Sequence, residues 1–100
     1  MRNGLTKRDI ATIHGIFRNH PEVTLVYTFG SRAKGNYKPG SDVDLVVMNS
    51  GVSFDAICAI KGELEESSLP YSVDVVNYPE LQNRELKEHI ERAGVEFYKR

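Results

Sequence analysis

The apolar positions change period several times along the chain. Ile10, Ile13 and Phe17 recur at three and four residues, the spacing that lines one face of a helix. Thr6 and Asp9 ahead of them have the spacing of a capping box in its aspartate form, so a helix is predicted over 6–19. After Pro21 the run Val23, Leu25, Val26, Tyr27, Phe29 is β-branched and aromatic and stops at Gly30, which reads as a mostly buried strand. Ser31 to Ser41 holds Gly35, Asn36, Pro39 and Gly40, a loop leading into a second strand at Val43, Leu45, Val46 and Val47.

Ser53 can cap a helix carrying Phe54, Ile57, Ile60 and Leu64, and after Pro70 the alternation Tyr71, Val73, Val75, Val76 predicts a third strand. Pro79 suits the first turn of a last helix, with Leu86, Ile90 and Ala93 on one face and Gly94 at its end; Val95, Phe97 and Tyr98 then predict a short extra strand. The short loop between the first two strands favours antiparallel pairing, and the order of elements requires a mixed sheet.

A length of 100 residues favours one domain, 1–100, since two would each fall below a self-sustaining core. With 40% hydrophobic and 27% charged residues the composition is that of a soluble globular protein. No apolar run approaches the roughly 20 residues that cross a bilayer, and the start lacks a signal-peptide core, so the expected location is the cytoplasm, away from membranes. Thirteen Lys and Arg against fourteen Asp and Glu leave no global positive field, which argues against an extended nucleic-acid track. The single cysteine, Cys58, cannot form an internal disulfide, and its neighbours Ala56, Ile57, Ala59 and Ile60 predict a buried position on a helix.

Chemistry concentrates at two places. Asp42 and Asp44 flank Val43 at the start of the second strand, so their carboxylates project from the same face. Two carboxylates so close repel unless a cation lies between them, and hard oxygen ligands suit Mg²⁺ or Mn²⁺. Asp74 interrupts the apolar third strand, where an ionised side chain without a partner is costly. With the third strand beside the second, Asp74 joins Asp42 and Asp44 in a three-carboxylate set able to hold two ions about 3.5 to 4 Å apart. At the end of the first strand, Gly30 permits close approach, and Ser31 with Arg32, helped by Lys34, forms a phosphate cradle for a nucleoside triphosphate. Tyr37 in the same loop could stack on a base.

Several of these patterns have simpler origins. Asp-x-Asp alone often marks only a turn or a strand edge. Gly35 to Ser41 lacks the Lys of a P-loop and leads into a strand, not a helix. His14, His20 and His89 have no ligand spacing and read as packing or surface residues, and Glu63, Glu65 and Glu66 as a solvated helix face.

At Gly30-Ser31, Asp42-Val43-Asp44 and Asp74 the chain resembles the nucleotidyltransferase superfamily related to DNA polymerase β, most closely its short members, the minimal nucleotidyltransferases. The family pattern is Gly-Ser, about ten residues, Asp-x-Asp, then one Asp on a later strand, and the resemblance covers nearly the whole chain. It implies an α/β (α+β) polymerase β-like core, a small mixed sheet of three or four strands with helices packed on it. It further implies that Asp42, Asp44 and Asp74 are catalytic and bind the metal, and that Gly30 and Ser31 bind nucleotide phosphates. The expected activity is Mg²⁺-dependent transfer of AMP from ATP to an acceptor hydroxyl.

Minimal nucleotidyltransferases are commonly paired with a small helical HEPN-domain protein as antitoxin and toxin, and some transfer AMP to a tyrosine of the toxin. The resemblance therefore implies a HEPN-like partner and an acceptor site completed by a second chain, in a homo- or hetero-oligomer. Two rivals stand beside it. One is a non-catalytic antitoxin or assembly subunit that acts by contact; the other is a small-molecule nucleotidyltransferase resembling the aminoglycoside-modifying enzymes.

Overall fold

A computed structural model of the chain describes residues 5–29 and 42–100. Helix α1 spans Lys7–Arg18, strand β1 Leu25–Phe29, β2 Val43–Val47, helix α2 Phe54–Glu66 and β3 Val73–Asn77. A 3₁₀ turn, Tyr78–Glu80, follows, then helix α3, Arg84–Ala93, and strand β4, Val95–Lys99.

The capping box forms in both directions: Thr6 Oγ1 accepts from Asp9 N at 3.1 Å, and Asp9 Oδ2 accepts from Thr6 N at 3.3 Å. Asp9 is buried, and the Tyr71 hydroxyl donates to its carboxylate at 3.1 Å, tying the start of α1 to the approach to β3. Ser53 caps α2 through Ala56 N. The last helix begins later than its proline suggests. Pro79 starts only the 3₁₀ turn, and Asn83, whose side chain accepts from Leu86 N at 3.0 Å, is the true cap, because a side-chain acceptor satisfies an otherwise free helix N–H where proline only tolerates the position.

The four strands form one sheet in the order β3-β2-β1-β4. β1 pairs antiparallel with β2 and with β4, and β2 pairs parallel with β3, so the sheet is mixed as expected. The parallel pair is joined by α2, the kind of crossover that parallel neighbours require. On one face, Val26, Val43, Leu45, Val47 and Val75 pack with Ile13 and Phe17 of α1 and Ile57, Ile60 and Leu64 of α2. Full burial of side chains of this size stabilises the fold by about 1.5–3 kcal/mol each. Val46, turned to the other face by strand alternation, is fully buried too, as is Ile90 of α3.

Cys58 is a correction: it is exposed. The buried stripe of α2 runs Ile57, Ile60, Leu64, and a residue one step past Ile57 turns about 100° away from that stripe. His14 does pack, edge-on against Phe97 and Tyr98 with Nε2 2.8 Å from the Phe97 carbonyl. Glu63 leaves the expected solvated set, since it pairs with His20. Among the described residues no helix is long and apolar enough to cross a membrane.

Candidate active site

Strand register decides what the aspartates can do together. In the parallel β2–β3 pair Asp44 lies directly across from Asp74, on strands about 4.8 Å apart, and residues in register on adjacent strands present their side chains on the same face. Asp42 precedes β2 by one residue and is exposed. Burial, then the charge of Asp74, then that of Asp42 push the Asp44 carboxyl above its ordinary value. The negative field of both neighbours therefore reaches Asp44, which places the three in one electrostatic neighbourhood. The Asp44 backbone is held from behind, where the buried Thr28 hydroxyl donates to its carbonyl at 3.2 Å.

Asp74 stands on the edge strand with its side chain 59% exposed, and Lys61 of α2 approaches its Oδ1 to 3.7 Å. At that exposure the ion pair contributes little to stability, but it orients the carboxylate. Lys61 was not apparent in the sequence. Nothing local marks it, because only the β2-α2-β3 crossover brings α2 alongside Asp74.

β1 ends at Phe29, whose register partner is Asp44. Gly30, Ser31 and Arg32, with Lys34 and Tyr37, follow β1 in the sequence and lie outside the described residues. The three carboxylates suit a hard divalent cation by chemistry, and the repulsion felt at Asp44 is the kind a cation relieves. Their side chains are not drawn into a cage, however: among the described residues no group of three His, Cys, Asp or Glu stands close enough to hold a metal ion. Like charges hold one another apart, and Asp74 is turned toward Lys61. Binding an ion would require these side chains to rotate inward.

Residues 11–100 match the family Polymerase beta, Nucleotidyltransferase. Over 59 residues the chain is 39% identical to a Haemophilus influenzae protein named Probable protein adenylyltransferase MntA, covering 58% of this chain and 51% of that one. The chain thus spans about half the length of that relative. In three dimensions it resembles a chain of a toxin–antitoxin crystallised with AMP-PNP, with TM-score 0.74, 22% identity, and 92% of this chain and 74% of that one covered. It also resembles a chain from the complex of tri-AMPylated Shewanella oneidensis HEPN toxin with MNT antitoxin, with TM-score 0.66, 22% identity, and 91% and 70% covered. Both structural likenesses are of fold. The family match, in contrast, runs from the second turn of α1 through β4 and takes in β1, β2, β3 and β4, so the chain belongs to the polymerase β nucleotidyltransferase family.

Proposed function

We propose that this chain transfers AMP from ATP to a hydroxyl of another protein, a tyrosine of a HEPN-domain partner, and serves as the antitoxin of that pair in the cytoplasm. The observation that carries the reading is the register of Asp44 with Asp74, with Asp42 close enough to raise the Asp44 carboxyl. The relative named as a protein adenylyltransferase and the complex holding a tri-AMPylated HEPN toxin support the acceptor class.

In this reading Asp42, Asp44 and Asp74 would hold Mg²⁺ or Mn²⁺, which supplies charge stabilisation at the attacking and leaving oxygens. Gly30, Ser31 and Arg32 bind the β- and γ-phosphates and align the α-phosphorus for in-line attack. The acceptor oxygen bonds to the α-phosphorus, the bond from that phosphorus to the bridging oxygen breaks, and pyrophosphate leaves. Asp74, exposed on the edge strand, takes the hydroxyl proton.

The test is to combine the chain with its cognate HEPN-domain protein, ATP and Mg²⁺, and read intact masses. Addition of AMP to the partner, lost in Asp42→Asn, is the expected result. A partner that gains no mass and is still fully neutralised by Asp42→Asn would mean that neutralisation works by contact alone.

A further inference from the structure

A groove of about 410 Å³ opens at the β3 edge of the sheet, between α2 and the segment after β3. Phe54, Ile57 and Lys61 line one wall, a stripe at helical spacing, with Val75 and Asn77 from β3 and Leu81 beyond. Three features of this groove have no explanation among the described residues. Phe54 is 79% exposed, the most exposed large apolar side chain among the described residues. The Asn77 side-chain oxygen is buried with no hydrogen-bond partner among the described residues, an arrangement that costs free energy unless a donor arrives. β3 is also an edge strand: Val43 N donates to the Ser72 carbonyl, so in a parallel ladder the backbone groups of Val73, Val75 and Asn77 point away from β2. Among the described residues no strand pairs with that side.

Lys61 links the groove to Asp74, around the β3 edge. Lys61 lines it and also reaches Asp74, which lies three residues before Asn77, about 10 Å along an extended chain. The nucleotide is expected from the β1–β2 side, where Phe29 faces Asp44, so the β3 side is the one left for an acceptor. We infer that the groove seats an extended segment of the acceptor protein, which adds to the free edge of β3 with an apolar side chain between Phe54 and Leu81 and so delivers its hydroxyl to Asp74. Strand addition supplies affinity through the backbone, and the apolar seat supplies selectivity. This rests on the protein-acceptor reading above.

Phe54→Asp tests it, since a side chain this exposed is not needed for folding. With the cognate HEPN-domain protein as acceptor, the variant is expected to raise the acceptor KM at least tenfold and to leave the ATP KM within twofold. In the wild type, acceptor should slow amide exchange in peptides covering 73–77. An unchanged acceptor KM with unchanged exchange overturns the docking site while transfer itself survives. Slowed exchange with no AMP added keeps the docking site and sinks the transfer reading. Neither binding nor transfer would sink both.

Discussion

Asp44 is the residue at which the fold and the chemistry conflict. It is partly buried beside two other carboxylates, and its carboxyl is raised from an ordinary value of 3.8. An acid raised in the folded state contributes stability that is present below its unfolded pKa and lost as pH rises through the folded one. Metal-free Asp44→Asn should therefore melt above the wild type at pH 7, by a few degrees, with the gap closing as pH falls toward 3.8. Mg²⁺ should reverse the order by stabilising the wild type more. Melting curves across pH, with and without Mg²⁺, check both signs; an Asp44→Asn variant less stable than the wild type without metal would contradict the account. The identities of Asp42, Asp44 and Asp74 were legible because a carboxylate in an apolar strand demands a reason. Their mutual placement was not fully legible, since the facing of Asp44 and Asp74 depends on a register that no local pattern states. Lys61 was invisible for the same reason.

At the scale of elements, periodicity predicted every helix and strand among the described residues, and the errors fall at boundaries. Val23 and Tyr71 belong to apolar runs but precede their strands, because burial beside a sheet does not require pairing within it. The α3–β4 junction shows a glycine whose reason also differs from expectation. Gly94 ends the helix with φ −69° and ψ 143°, not in the left-handed region, and its N–H donates to the Ile90 carbonyl at 2.8 Å. A Cβ there would stand 2.5 Å from that carbonyl oxygen and 3.0 Å from the Tyr27 ring. Close approach, not backbone freedom, excludes other residues. Gly94→Ala should destabilise the protein by about 1–3 kcal/mol, the range for overpacking against atoms that cannot simply rotate away. Denaturant midpoints would check it; an unchanged midpoint would mean that the junction opens at no cost.

Across the whole molecule, one sheet divides two tasks. Its α1/α2 face is the apolar core, while register sets Asp44 and Asp74 on the opposite face, toward the ends of β2 and β3 from which those strands start. Fold class was legible from the order of elements, because a short loop and a helical crossover allow few sheet topologies. The seat of the acceptor was not, since it is assembled from α2, β3 and the segment after it. Whether these aspartates serve nucleotidyl transfer is read from the position of a radiolabel. Wild-type chain, cognate HEPN-domain protein and Mg²⁺ are incubated with ATP labelled at either the α- or the γ-phosphate. The α-label should be retained on the acceptor and the γ-label should not, with α-labelling abolished by chelator and lowered about a thousandfold or more in Asp44→Asn, as expected for losing several kcal/mol of charge stabilisation. Retention of γ-label, or α-labelling undiminished in both Asp42→Asn and Asp44→Asn, would contradict it.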